Sequence, residues 1–251
     1  MLPARLGRKL RGIGEFEVIP DEIIQETPKF AVWDLPAFHA LNGRIRGRAC
    51  DDLIGVAAVL ATLIELKRSR AKVHVIGAIS RAEEVGFHGA LALASSGILP
   101  NNALIISLET SKELPPVKIG NGVIIRTGDK ASVFNSTATR FLADGAAQLA
   151  KRRRSFRFQR ALMSGGTCEG TAYQEFGYET AAVCVALGNY HNCGPRDRIA
   201  EEFVSVNDAL GMTSLLVHAA REMSHFNTHT KKLRRRLDGL LREAKKRFAV
   251  D

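Results

Sequence analysis

Two adjacent carboxylates, Glu83 and Glu84, stand where an apolar, β-branched run ends and a glycine-rich stretch begins. The run before them, Val73 to Ile79, predicts a buried strand, and open α/β folds place their ligands at the carboxyl ends of such strands. One carboxylate of such a pair can hold a metal ion while the other carries protons. Adjacent glutamates are also typical of a solvated helix start, so the pair decides nothing by itself.

Three further ionisable residues share this placement between an apolar run and polar residues. Asp51 lies just before a predicted apolar helix, and Glu109 and His191 each follow a predicted strand. Each has an ordinary alternative, as a helix N-cap, a loop carboxylate and a loop histidine respectively. Taken together with Glu83 and Glu84, they form the oxygen and nitrogen donor set that suits a hydrolytic zinc or cobalt site.

The order of the motifs is more specific than any single one of them. They are, in sequence, Cys50-Asp51-Asp52-Leu53-x-Gly55, Glu83-Glu84-Val85-Gly86-x-x-Gly89-Ala90, Leu108-Glu109-Thr110, Gly165-Gly166-Thr167 and Tyr190-His191-Asn192. This series resembles the co-catalytic metallo-aminopeptidases of clan MH, above all the glutamyl and deblocking aminopeptidases that form tetrahedral dodecamers. The resemblance covers roughly residues 40 to 220.

The resemblance implies a metal-dependent exopeptidase that hydrolyses N-terminal peptide bonds. It implies that Asp51 bridges two metal ions, that Glu84 and His191 complete one site, and that Glu109 ligates the other ion. Glu83 would be the general base for water activated by the metal. The expected cofactor is a divalent metal, zinc first and cobalt or manganese as alternatives, with one or two ions per chain. The expected partners are a peptide substrate and further copies of the same chain.

One departure from the family pattern affects the second metal. Members of the family carry a His-x-Asp motif on an early strand, and this chain has none ahead of Asp51. His39 is the one earlier histidine, and it is predicted to lie on the surface. Either the gene is truncated or the strand comes from another chain, so the activity of the isolated chain stays open. The alternative is a truncated or inactive homologue with a single metal site and a role in binding or assembly.

The elements that must position these residues alternate between helix and strand. The pattern predicts a three-layer α/β/α sandwich with a mostly parallel mixed sheet, a small N-terminal β remnant and a basic C-terminal helix. The predicted regions are 1–45 for the remnant, 46–223 for the catalytic domain and 224–251 for the basic helix. Within the catalytic domain, strands are expected at 73–79, 103–108, 122–127, 156–161 and 180–187, and helices at 53–66, 86–95, 136–151, 171–176 and 206–223.

Composition limits the remaining classes of function. A chain of 251 residues can bury one good core, and its four cysteines form no Cys-x-x-Cys pair, which predicts reduced thiols in a cytoplasmic protein. The apolar runs are too short to span a bilayer, so no membrane partner is expected. The net charge of +10 lies largely in the last predicted helix. No aromatic stacking platform accompanies that charge, so nucleic-acid binding is not expected.

Overall fold

The computed structural model describes residues 3–9, 16–26 and 28–248. Residues 1, 2, 10–15 and 27 of the predicted N-terminal remnant and the last three residues of the predicted C-terminal helix lie outside the described residues. The chain forms two compact units, Met1–Asp34 and Leu35–Asp251. The first contains the antiparallel strands β1 (Ala4–Lys9) and β2 (Phe16–Pro20).

The second unit alternates strands and helices, as the sequence pattern predicts. Its elements in chain order are β3 (Phe38–Leu41), β4 (Arg44–Gly47), α1 (Cys50–Arg68), α2 (His88–Ser95), β5 (Leu104–Lys112), β6 (Val123–Gly128), α3 (Ser136–Arg152), β7 (Phe158–Leu162), α4 (Glu169–Glu175), β8 (Glu179–Leu187), β9 (Glu202–Ser205), α5 (Val206–Glu222) and α6 (Phe226–Phe248). Most helix and strand ends fall within a few residues of the predicted ones, which is the usual error of boundary prediction.

The central sheet has the order β5-β8-β6-β7. β5 and β8 are parallel, β6 and β7 are parallel, and β6 and β8 are antiparallel, so the sheet is mixed. Helices α1, α3 and α5 contribute to the main core on one face, and α2 and α4 pack on the other. The fold is therefore the predicted α/β sandwich, with strands β8 and β6 buried at its centre.

The predicted strand at residues 73–79 is wrong. Residues 71–80 have no regular secondary structure, and no described strand pairs with them. The prediction used side-chain pattern alone, whereas a strand also needs a neighbouring backbone to accept its hydrogen bonds. β5, the nearest candidate, ends the sheet and pairs only with β8 among the described strands.

Within α1, Asp51 and Asp52 have non-helical φ and ψ angles, so the regular helix begins at Leu53, the predicted start. Asp52 supplies the local reason, because its Oδ1 accepts a hydrogen bond of 2.9 Å from the backbone N–H of Gly55. This is the role of an N-terminal capping carboxylate, which satisfies one of the free N–H groups of the first turn. A Cβ atom on residue 55 would lie 2.0 Å from Asp52 Oδ2, so this contact requires glycine.

A second sheet, of order β3-β4-β9, lies beside the start of α1 and was not predicted. All its pairings are antiparallel, and Gly47 of β4 stands opposite Glu202 of β9. The guanidinium carbons of Arg44 and Arg46 lie 4.5 and 4.9 Å from the ring centroid of Phe203 on β9. The strand β9 thereby places Glu202 next to the residues that open α1.

The basic C-terminal helix is present as α6. Its first residue, Phe226, is buried and packs edge to face on Phe141 with the ring centroids 5.2 Å apart. Further along, Leu237, Leu240 and Leu241 are each about half exposed. Among the described residues, no helix combines the length and the apolar character that crossing a bilayer would require.

The carboxylate of Asp129, which follows β6, forms hydrogen bonds with the loop before α4. Its carboxylate accepts hydrogen bonds from the backbone N–H groups of Ala131, Ser132 and Cys168 and from the hydroxyl of Thr171. Burial alone would raise the pKa of Asp129, but these hydrogen bonds outweigh it and the pKa is lowered. The carboxylate therefore stabilises the fold only while it is ionised.

We expect Asp129→Ala to lower the free energy of unfolding by about 2 to 4 kcal/mol, because it leaves several donors without an acceptor. Denaturant titrations at neutral pH would measure the loss. The folded-state pKa is below the unfolded one, so the difference from the unmutated chain should shrink as pH falls below about 4. Glu175→Ala, at an exposed position in the same unit, is the control. Equal destabilisation by both variants would contradict the assignment.

Candidate metal centre

Three of the predicted site residues, Asp51, Glu84 and His191, converge at the end of the central sheet. Each offers one ligand atom, and these three atoms lie within 4.8 Å of one another. His191 Nε2 is 3.9 Å from Asp51 Oδ2 and 3.7 Å from Glu84 Oε2. The fold therefore brings together Asp51 and His191, which are 140 positions apart in the sequence.

Glu202 connects the two segments that carry Asp51 and His191. It is 2% exposed, and its Oε2 accepts a hydrogen bond of 3.0 Å from the backbone N–H of Asp51. The backbone N–H groups of Cys50 and Asn192 also act to lower the pKa of Glu202, although burial outweighs them and the pKa is raised. Because one carboxylate interacts with both the start of α1 and the turn at residue 192, it links the two segments.

The turn that carries His191 has an unusual backbone. Asn189, His191 and Asn192 all have positive φ angles, of 53°, 54° and 58°. Asparagine tolerates this region better than most residues, and both asparagine side chains also donate hydrogen bonds to backbone carbonyl groups, those of Glu201, Arg48 and Ala200. The ring of Tyr190 stacks on the imidazole of His191 with the centroids 3.8 Å apart. These contacts hold the imidazole towards the carboxylates.

The segment with Glu83 and Glu84 is a tight turn before α2. Backbone N–H groups of Gly86 and Phe87 both donate to the carbonyl oxygen of Glu83. Gly89 lies against the preceding strand-like segment, where a Cβ atom would be 2.6 Å from the carbonyl oxygen of Arg81. This close approach explains the glycine in the Gly-x-x-Gly part of the motif, and it sets the direction in which the two glutamates project.

The surroundings disfavour negative charge on these carboxyl groups. Burial raises the pKa of Asp51 to about 6, and the nearby carboxylates of Glu84 and Glu202 add to the effect. Burial likewise raises the pKa of Asp52 to about 8 and that of Glu83 to about 7, each with further contributions from neighbouring carboxylates. Such mutual repulsion of desolvated carboxylates is relieved by a bound cation.

Glu109 is not among the three residues whose ligand atoms converge, and its expected role at the second ion stays a prediction. The sequence placed it after the end of a strand, but β5 continues to Lys112, so Glu109 lies inside the strand. It stands opposite Cys184, whereas Thr110 stands opposite Val185, which belongs to the core packed under α1. Successive residues of a strand point to opposite faces, so Glu109 and Thr110 lie on opposite faces of the sheet. Burial raises the pKa of Glu109 well above its usual value, and the charge of Arg126 opposes that rise.

His39 lies outside the cluster, in β3. Its Nδ1 is 3.5 Å from Glu201 Oε1, and 41% of its side chain is exposed. The sequence prediction of a surface histidine agrees with this position. The described residues therefore place one imidazole, that of His191, among the candidate metal ligands.

Sequence reasoning missed two acidic residues that shape the site. Glu202 has no local motif, because its partners are 151 residues away in the chain. Glu169 begins α4 and accepts a hydrogen bond from the hydroxyl of Ser80, which joins the helix to the segment before Glu83. The one available signal was the chain position of Glu169, directly after the Gly165-Gly166-Thr167 motif and Cys168.

The donor set of Asp51, Glu84 and His191 fits a divalent metal ion. Two carboxylate oxygens and an imidazole nitrogen match the ligands of catalytic zinc sites, which leave a further position open. The separations of 3.7 and 3.9 Å are within about twice a zinc–ligand bond of ~2.0 to 2.2 Å. Glu83 is next to this set in sequence but is not part of it.

Comparison with known proteins adds independent findings. The family model of the M42 glutamyl aminopeptidases matches residues 26–200. No curated protein matches the chain at a significant level. Several solved structures do. The structure described as a PhTET1-12s dodecamer is 25% identical with a TM-score of 0.58, and the match covers 74% of this chain and 54% of the other.

Two further structures have a similar fold. A TET aminopeptidase from the marine sediment archaeon Thaumarchaeota archaeon SCGC AB-539-E09 is 20% identical with a TM-score of 0.64. The TET1 peptidase of Pyrococcus horikoshii, which can assemble into a tetrahedron or a large octahedral shell, is 24% identical with a TM-score of 0.63. Each match covers 76% of this chain and 54% of the other. This chain thus spans about half the length of the structures it matches.

The anchoring role of Glu202 leads to a prediction about metal affinity. Glu202→Ala removes the acceptor for the N–H of Asp51, so we expect zinc to bind about 10 to 100 times more weakly. Isothermal titration calorimetry with zinc would measure this change. Glu201→Gln is the matched control at the neighbouring position, and its zinc affinity should stay near that of the unmutated chain. An unchanged affinity in Glu202→Ala would show that the contact does not position the site.

Proposed function

This chain belongs to the M42 glutamyl aminopeptidase family, and from that premise we propose that it is a metal-dependent exopeptidase acting on the N-terminal residues of peptides. The observation that carries the proposal is the convergence of Asp51, Glu84 and His191, with Glu83 beside them and outside the ligand set. The family match covers this arrangement, since all four residues fall within residues 26–200.

In the proposed reaction Asp51, Glu84 and His191 hold the metal, for which zinc is the first candidate. A divalent ion held there supplies Lewis acidity, which polarises the peptide carbonyl and makes a water molecule more acidic. Glu83 takes the proton from water and returns it to the leaving amine, because its carboxylate is not committed to the metal. Glu202 and Tyr190 act on this chemistry only by positioning Asp51 and His191.

The same proposal includes assembly and location. The matched structures include a dodecamer and a peptidase that forms closed shells, which supports a homo-oligomer for this chain. None of the four cysteines, all of them in described segments, forms a disulfide. Reduced thiols support a cytoplasmic location.

A second candidate function is a metal-binding homologue without peptidase activity, serving in binding or assembly. It is favoured by the donor set, because the described residues place a single imidazole, that of His191, among the candidate metal ligands. In this alternative one ion binds tightly and stabilises the fold. A metal-loaded chain without turnover on any of a panel of aminoacyl p-nitroanilides would favour the second candidate over the first.

The role of Glu83 can be tested separately from metal binding. We expect Glu83→Gln to lower kcat by a factor of about 10² to 10⁴, the usual contribution of a general base, at saturating zinc. Its zinc content after dialysis should equal that of the unmutated chain. Glu84→Gln is the matched control and should lose most of its zinc. Loss of zinc from both variants would show that Glu83 is itself a ligand and would refute its assignment as a base.

The number of ions per chain is a further prediction. We expect one tight site made by Asp51, Glu84 and His191 and a second at least about tenfold weaker, because Asp51 and Glu109 supply only oxygen donors. Zinc titration followed by calorimetry and elemental analysis would count the sites, and His191→Ala should abolish the tight one. Activity should rise with added divalent metal. Two equally tight sites with full activity at stoichiometric metal would contradict this prediction.

A further inference from the structure

Helix α6 is a part of the chain to which the proposed peptidase function gives no role. It lies beyond residues 26–200, which the family model matches. Its first residue, Phe226, is buried and packs on Phe141 of α3. Between residues 234 and 248, by contrast, no residue is buried. The core therefore holds the beginning of the helix, and the part from residue 234 onwards, roughly 22 Å long, is accessible to a partner.

The accessible part of α6 has one apolar side. Leu237, Leu240 and Leu241 are 50%, 53% and 55% exposed, and Phe248 is 75% exposed. At about 100° of rotation per residue, these four side chains and Ala244 fall within an arc of roughly 100° around the helix axis. We call these five residues the apolar stripe. Apolar residues scattered singly on a surface need no partner, whereas a continuous row of them marks a contact surface.

Cations border the apolar stripe on both sides. By the same helical geometry, Arg234 and Lys245 lie along one border, and Arg236 and Arg247 lie along the other. The whole helix has nine lysine or arginine residues and two acidic ones, and one of these two, Asp238, accepts a hydrogen bond of 2.9 Å from Arg234 Nε. A partner that covers this side of α6 must therefore be apolar along its middle and anionic at its borders.

We propose that α6 binds the surface of an anionic phospholipid membrane. The helix axis lies parallel to the surface, the apolar stripe enters the boundary between headgroups and acyl chains, and the bordering cations contact the lipid phosphates. Lysine and arginine suit this position, because their long stems lie along apolar surface while their charges stay among the headgroups. The short apolar runs of the sequence exclude a membrane span, which this mode of binding does not need. The proposal goes beyond the peptidase function and does not depend on it.

Two other partners fit these features less well. A second copy of α6 would bring two strongly cationic helices together, and the like charges along their borders would repel each other. A nucleic acid would match the charge, but contacts to its phosphates need no apolar stripe. Stacking of bases needs aromatic side chains, and Phe248 is the one aromatic residue between 234 and 248. Of the three, an anionic lipid surface matches both the cations and the stripe.

Flotation of the full chain with lipid vesicles tests the proposal. One set of vesicles contains phosphatidylcholine alone, and the other contains phosphatidylcholine and phosphatidylglycerol in equal parts. We expect binding to the anionic vesicles to be at least about tenfold tighter than to the neutral ones. Salt at about 0.5 M should weaken it, because the charges on both surfaces are screened. Equal binding to both kinds of vesicle, or binding to neither, would overturn the proposal.

The double variant Leu240→Gln, Leu241→Gln tests the apolar stripe and leaves every charge in place. Both positions are about half exposed, so the fold should be retained, which circular dichroism would check. We expect its binding to the anionic vesicles to be at least about tenfold weaker. Unchanged binding would overturn the proposal. Dissociation of an oligomer of the free protein by this variant, measured by sedimentation velocity, would also overturn it, because a second copy would then cover the stripe.

Two charge variants test the orientation of the helix. Arg236→Gln with Arg247→Gln removes two border cations, and Arg235→Gln with Arg242→Gln, the matched control, removes the same charge from the opposite side. We expect the first pair to weaken vesicle binding at least about tenfold and the second at most about threefold. Equal losses would overturn the proposed orientation. Binding of a single-stranded oligonucleotide more tightly than of anionic vesicles would assign α6 to nucleic acid and overturn the proposal. None of these outcomes bears on the peptidase proposal, which is measured by hydrolysis.

Discussion

The concentration of desolvated carboxyl groups at one end of the sheet constrains the rest of the structure. Burial raises the pKa of Asp51, Asp52, Glu83 and Glu109 together, so without positive charge these groups disfavour one another's ionisation. Arg126 supplies one buried cation near Glu109. Protonation or a bound cation relieves the remaining repulsion, and the oxygen and nitrogen donors suit a divalent metal as that cation.

Positioning of this cluster depends on contacts between distant parts of the chain. Glu202 accepts the N–H group of Asp51 at the beginning of α1 and interacts electrostatically with Asn192 in the turn of His191. Ser80 and Glu169 join the glutamate turn to α4. Each of these contacts forms only when the sheet and its covering helices are already packed. We therefore expect binding of the proposed metal to be coupled to folding stability, because the candidate ligands converge only in the folded chain.

Sequence patterns predicted those candidate site residues that lie at the border of an apolar run. Asp51, Glu84 and His191 each border an apolar run, and the folded sheet brings such borders together. The strand that carries Glu109 was predicted too short because side-chain pattern does not show where a strand ends, and β5 extends three residues beyond Glu109. The strand at residues 73–79 failed for a related reason, since pairing is a property of two backbones. Glu202 was missed because Asp51, whose N–H group it accepts, is 151 residues away in the chain.

The last helix determines how the chain responds to ionic strength. α6 contains nine lysine or arginine residues and two acidic ones. Its half-exposed leucines lie on the same helix. At low salt the repulsion between these positive helices keeps separate molecules apart. Salt screens that repulsion, with a Debye length of about 8 Å at physiological ionic strength. Charge repulsion then no longer prevents contact between the half-exposed leucines of neighbouring molecules. The colloidal stability of the protein therefore decreases as salt is added.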